Sequence, residues 1–419
     1  MAASTDSAGK VCLALRKHRN LSQDRSCRPQ ASGNPMESKL GTVLTRRSLL
    51  AGATFAVASA CGRSRATGYP GYALVSTAGE KSVAAVDLNT FHVTKKIGLN
   101  APPSVIIADS RQGYALTPAT GTVHLLDIER LAKKASIRLA DRVDSIRLTP
   151  DGKMLTAIST KSRELILADV ESHRIVRRVR LENEPLDLDL SFDSGTNPIY
   201  VAISEGPSGI VESIDLASGR RARTQLSGEL GNLRYRSDGQ ILLVANYGDR
   251  TLVALDTQTL QTICELPLAM RPENLCFSAD QGQLFISGSG MDGIAIVFPF
   301  HTLEVEQTVL AGRTPGAMAC CGPDPSYLFV ASRTGSEISI LSVDSRKMIA
   351  LTQAGQEPKQ ITITPDQQYA LILNEASGDM AVIRIPNIKG TRLKTGASLF
   401  AMVPIGDTPV DTAIFTRYA

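Results

Sequence analysis

One turn recurs every 41 to 45 residues along this chain, and that spacing restricts the fold more than any single residue does. It reads Pro150-Asp151-Gly152, Phe192-Asp193-Ser194, Ser237-Asp238-Gly239, Ala279-Asp280-Gln281, Pro323-Asp324-Pro325 and Pro365-Asp366-Gln367, with Asp109-Ser110 in the same place in the first unit. A second ruler runs in step with it: apolar runs ending in Asp87, Asp127, Asp169, Asp215 and Asp256, with Phe298, Ser342 and Arg384 in register afterwards. The aliphatic and β-branched runs between these marks are short and bounded by Gly, Asp, Asn and Pro, the pattern of short antiparallel strands. Repeats near 40 residues built this way predict an all-β fold, a β-propeller with one four-stranded blade per repeat. The units number eight, so eight blades are expected, with seven as the alternative. The chain enters at the second strand of a blade, near Tyr72, and leaves on an innermost strand, 410–415. The last strand is therefore expected to pair with the first and close the ring, which removes free sheet edges.

The strand order resembles the YVTN family of bacterial β-propeller repeats. Its signature stands here as Tyr200-Val201-Ala202, Val244-Ala245-Asn246-Tyr247 and Val330-Ala331-Ser332, each followed by a strand ending in or near Asp. The resemblance covers about 72–415. It implies that the strand before each Asp turn is innermost, and it carries no specific activity. Seven blades are commoner in that family. Units six to eight depart from the pattern by losing the strand-end Asp, and the eighth is longer, with 386–394 as the expected extra loop. The chain contains no Trp, which excludes Trp-Asp repeats and Trp-docked quinone propellers.

Arg46 and Arg47 precede an apolar run, 49–60, that ends in Ala58-Ser59-Ala60 before Cys61. A basic pair, a short apolar stretch and small residues make an export signal of the twin-arginine kind. Twelve apolar residues are too few to span a bilayer as a permanent helix. Cys61 fits a lipoprotein box that would attach lipid to its thiol; cleavage after the Ala-x-Ala site fits as well. Residues 1–60 are thus expected to be leader, 61–71 a lipid-anchored linker and 72–419 the propeller, with Met1 or Met36 as the start. This places the protein outside the cytoplasm, periplasmic or membrane-anchored, with the lipid on Cys61 as its only membrane attachment. The leader holds a net charge of +6 against +4 for the whole chain, leaving −2 for the remainder. The basic pI of 8.6 therefore gives no support to nucleic-acid binding.

Alternation along the innermost strands separates two registers. One is apolar, including Val105/Ile107, Ile146/Leu148, Leu188/Leu190 and Leu233/Tyr235, and is expected to pack between blades. The other is polar and expected to line the central channel: Ser104/Ile106, Ser145/Arg147, Asp187/Asp189, Asn232/Arg234, Asn274/Cys276, Gln360/Thr362 and Asp411/Ala413, with Arg236 continuing it. Charge concentrates on three consecutive strands, at Arg147, at Asp187 and Asp189, and at Arg234 and Arg236. Arg147, Asp189 and Arg234 are expected at one depth. Two readings stay open: an ion-pair ladder in a wet pore, or an anion site whose guanidinium forks suit carboxylates or phosphates. Asn232 and Asn274 extend the candidate ligand-binding wall.

No Cys-x-x-Cys, Gly-x-Ser-x-Gly, phosphate loop or His-Glu-x-x-His occurs. His92, His124, His173 and His301 all miss the innermost strands and are expected at the surface, so no metal or haem ligand and no cofactor is predicted. Cys264 with Cys276 is the one pair whose disulfide would be tested. The functional expectation is an exported, non-enzymatic binding or scaffold propeller of the bacterial cell envelope. It would recognise a protein, a peptide or a small anionic ligand at the channel mouth, ringed by loops such as 102–103, 184–185, 271–273 and 314–315. The alternative is a lactonase-type hydrolase, since lactonases share the propeller architecture. Haem handling is a third reading that lacks an inward His.

Overall fold

The computed structural model describes residues 68–191, 199–300, 303–388, 394–395 and 399–416, all within the unit Ser64–Ala419. Arg46, Arg47, Cys61 and the leader lie outside the described residues. Eight antiparallel sheets follow one another along the chain. Blade one contains Gly71–Thr77, Ser82–Asp87, His92–Gly98 and the C-terminal Pro409–Thr416. Blades two to eight each begin with their innermost strand, at Val105, Ser145, Asp187, Leu230, Arg271, Pro315 and Pro358 respectively. The eight-blade expectation holds, and so does the closure: Tyr72 pairs with Phe415, Ala73 with Ile414 and Val75 with Thr412. In blade seven, Lys394 and Thr395 add a short parallel strand beyond the outer edge. This pairing uses the end of the long loop, of which 389–393 lie outside the described residues.

Both sequence rulers are turn devices. Asp151, Asp238, Asp280 and Asp366 each accept the N–H two residues on, at 3.0–3.1 Å. Thr149, Ser278 and Thr364 donate their hydroxyls to these carboxylates at 2.6 Å. The strand-end Asp caps the turn before the outer strand. Asp256, for example, accepts from the N–H groups of Gln258 and Thr259 at 3.1 and 2.8 Å, which lets Leu260 adopt a left-handed φ of 55°. Where blade seven has lost this Asp, Ser342 takes over, its Oγ accepting the Ser345 N–H at 3.2 Å.

Eight hydrophobic clusters lie among the described residues, one per seam between adjacent blades. The apolar register of each inner strand packs against the preceding blade: Ile146 joins Leu116 and Leu125 of blade two, and Leu233 joins Ala202 and Val211 of blade four. The polar register faces the following blade near the axis. This corrects the sequence expectation, in which only the apolar register faced a neighbouring blade. Blade two carries a second correction. Ile106 is 2% exposed and packs with Leu74 and Ala115 on the blade-one side, whereas Val105 and Ile107 face blade three. The cause is a turn shorter by two residues. Asp109 N–H bonds the Gln112 carbonyl, where Thr149 N–H reaches five residues on to Met154. Alignment on Ser110 therefore slipped the strand by one residue, and a slip of one exchanges the faces.

Candidate functional site in the central wall

In the polar register, side chains cross the seam to the next blade. Gln360 donates to Asp411, and Asp411 accepts the Ile106 N–H at 2.8 Å. Asn232 donates to the Glu273 carbonyl at 2.6 Å. An innermost strand has no hydrogen-bonded strand on its axial side, so these contacts satisfy backbone groups that would otherwise depend on water.

The charge cluster is built on the same principle. Asp187 Oδ2 accepts from the Arg234 guanidinium at 2.9 Å and from the Leu233 N–H at 3.3 Å. Its Oδ1 lies 3.8 Å from Arg147 Nη2 on the other side. One carboxylate thus joins blades three, four and five. Asp187 is the hub, where the sequence placed Asp189 beside the two arginines. Guanidiniums on long stems lean along the strand, so equal depth at Cα is not equal depth at the charge. Asp189 instead accepts the Tyr235 N–H at 2.9 Å. Burial pushes its carboxyl above the ordinary value of 3.8, against the pull of Arg234, the Tyr235 N–H and Arg147. Burial likewise raises Asp411, against its hydrogen bonds from Ile106 and Gln360. Burial also opposes the charge on Arg234, yet Asp187 and Asp189 hold its pKa above the usual value. Two guanidiniums, Arg147 and Arg234, thus flank the one carboxylate of Asp187. Arg147 and Arg234 keep about a third of their side-chain surface open, at 32% and 31%, while Asp187 keeps 11%. The cations, not the anion, are presented.

Two predicted members stand apart. Arg236 turns to Asp238 in its own turn at 2.6 and 2.9 Å and stacks over Phe300 at 4.6 Å. Asn274 donates to Ser287 within blade six. Gly231 lets the Tyr247 ring pack against the strand beside Asn232: a Cβ there would fall 1.9 Å from the ring. Sequence reasoning placed a channel mouth at loops 271–273 and 314–315 but missed its cross-blade contacts. There Glu273 accepts from Arg333 and Ser289, and a cleft of about 320 Å³ opens among 288–292, Thr314 and Arg333. The loops 271–273 and 314–315 carried the signal, but not the partner arginine from a neighbouring blade.

His124 is another correction. It is buried, held between Thr117 and Ser136, because it lies inside a third strand and not in a turn. The described cysteines are free. The neighbour of Cys276 is Cys320 across the blade six–seven seam, and a hydrogen bond to Cys276 together with burial raises the Cys320 thiol pKa. Among the described residues no three His, Cys, Asp or Glu side chains gather as a metal-holding group.

A family model described as lactonase, 7-bladed β-propeller, matches residues 299–404, well under half of the chain and none of the charge cluster. No curated protein matches. Many solved structures share the fold, among them the following three. The dihydro-heme d1 dehydrogenase NirN, in complex with DHE, has a TM-score of 0.68 at 14% identity, over 80% of this chain and 74% of that one. Apo AztD from Citrobacter koseri has a TM-score of 0.62 at 11% identity, over 82% and 97%. A functionally unknown protein from Desulfotomaculum acetoxidans DSM 771 has a TM-score of 0.55 at 12% identity, over 83% and 100%.

Proposed function

We propose that this chain is an exported β-propeller of the YVTN type that binds a small anionic ligand in its central wall. The observation that carries the reading is that two partly open guanidiniums flank the single carboxylate of Asp187. Arg147 and Arg234 share the one carboxylate of Asp187, and burial raises the pKa of the neighbouring Asp189. A carboxylate or phosphate placed between the two guanidiniums would complete the pairing that Asp187 begins. Export through Arg46 and Arg47, lipid attachment at Cys61 and a non-enzymatic role belong to the same proposal. Thermal melting with dicarboxylates and sugar phosphates tests it. A ligand that prefers the folded state raises the melting point progressively with concentration, and Arg147→Ala with Arg234→Ala should abolish the rise while the fold survives. A parent protein indifferent to every such anion would remove the proposal.

The family-model match supports a second reading, a lactonase-type hydrolase. Lactone turnover by the parent protein that survives the paired arginine variant would favour this reading with its chemistry in blades six to eight.

A further inference from the structure

The outer strands of the eight blades divide the rim into two unlike halves. Those of blades one to four are His92–Gly98, Ala132–Arg138, Arg174–Arg180 and Arg221–Gln225. Together they carry eleven Lys and Arg and no Asp or Glu. Those of blades five to eight, Thr262–Pro267, Val305–Leu310, Lys347–Gln353 and Leu399–Pro404, carry one Lys and two Glu. Lysine on an outer strand is a common defence against edge-to-edge pairing. The outer strands of blades five, six and eight need that defence as much, however, and only four consecutive ones are basic. Edge protection therefore does not account for the division.

Neighbouring acids neutralise part of the basic half. Lys96, Arg138, Arg178, Arg221 and Arg223 each have an ion-pair partner. Among the described residues Lys95, Lys133, Lys134, Arg174, Arg177 and Arg180 have no ion pair. The half is also built around a cavity. A cleft of about 510 Å³ lies between blades three and four, lined by Arg163, Arg180, Arg221 and Arg223 with Glu182 and Glu212. Both acids are already engaged, Glu212 by Arg221 and Glu182 by Arg223. Arg163 and Arg180 remain as unmatched cations in the cleft.

We propose that the rim of blades one to four binds a linear anionic polysaccharide, with the cleft between blades three and four seating one of its acidic groups. The shape of the surface selects the occupant. Four of eight blades span half of a convex ring, and a flat bilayer touches only one or two blades of such a ring at once. A flexible polyanion can follow all four. These outer strands contain no Phe, Tyr or Trp, so they offer no aromatic platform of the kind that holds single-stranded nucleic acid. The binding is electrostatic and weakens with salt, as counterions return to the polymer.

Polygalacturonate binding to the full-length protein, measured by calorimetry over a salt series, tests the proposal. Arg163→Ala with Arg180→Ala should weaken binding about tenfold, by loss of the charge-assisted contacts in the cleft. Lys133→Ala, Lys134→Ala and Arg174→Ala together should lower the salt slope. These positions are exposed, so melting curves should match the parent. Arg147→Ala with Arg234→Ala should leave polymer binding unchanged, which separates this rim from the central wall. Absence of binding at low salt, variants that bind like the parent, or phosphatidylglycerol vesicles bound in preference to the polymer would each overturn it. So would single-stranded DNA bound as tightly as polygalacturonate.

Discussion

Asp187 and Arg234 meet at 2.9 Å across the seam between blades four and five, and the same carboxylate accepts the N–H of Leu233. A side chain that joins backbone and charge at once holds two blades in register at the axis, where no strand pairing can. Asp187→Ala would leave that amide unsatisfied and take their shared carboxylate partner from Arg147 and Arg234. The expected loss is about 1–3 kcal/mol, moderated by the solvent that reaches the arginines. Urea denaturation checks it. Loss from Asp187→Ala that does not exceed loss from Asp189→Ala would contradict the hub.

Asp189 should also make stability depend on pH. Burial raises the folded pKa of Asp189 above 3.8, so the folded state holds this proton more tightly than the unfolded chain. Its contribution to stability is full below the ordinary carboxylate value and is lost as pH rises through the raised value. Asp189→Asn keeps an acceptor for the Tyr235 N–H and removes the titration. The variant should match the parent near about pH 4 and melt a few degrees higher near about pH 7. Equal melting points at both pH values would show that the Asp189 carboxyl is not held neutral by the fold.

The turn aspartates work in the opposite direction. Asp280 lies below its ordinary value, through the hydroxyl of Ser278 and the Gly282 N–H, and Asp256 does so through the backbone and hydroxyl of Thr259. Such groups stabilise above the unfolded value, and the effect is lost as pH falls through the folded one. Ser278→Ala should cost about 0.5–1.5 kcal/mol near neutrality, the range of one hydrogen bond. The deficit should shrink as pH falls through the lowered folded value, beneath which the carboxyl is protonated in both states. Denaturation at two pH values measures the difference.

These turns also explain how much of the fold was legible in the chain. Asp151 and Asp256 fix a turn from within a few residues, so their spacing printed the blade count directly onto the sequence. The wall was less legible because its contacts join residues 40 or more positions apart, as Asp187 joins Arg234. Ile106 shows the limit in small. Its face depends on turn length, and the Asp109 turn closes sooner than the Thr149 turn. The choice of Asp187 over Asp189 as hub depends on where long side chains lean, which strand alternation does not encode. The uneven rim could have been found from Arg174–Arg180 alone, but only the ring shows that four such strands are consecutive neighbours.

Closure of the ring gives the largest expected effect. Pro409–Thr416 is the innermost strand of blade one and pairs with Gly71–Thr77 along its length. Its Phe415 is buried with Tyr72 and Leu74, and Ile414 packs against the blade eight–one core. Deleting 408–419 would strip both seams of apolar contacts worth about 1.5–3 kcal/mol for each large side chain, and would also remove Asp411 from the Ile106 N–H. Termini usually tolerate such losses; this one should not. The truncated protein should melt far below the parent or fail to fold, and Phe415→Ala alone should cost about 3 kcal/mol. Adding the peptide 408–419 back in excess should raise the melting point with concentration, because the vacated edge of Gly71–Thr77 presents the same pairing register. A truncated protein that melts with the parent would mean that the terminal strand does not close the ring in solution.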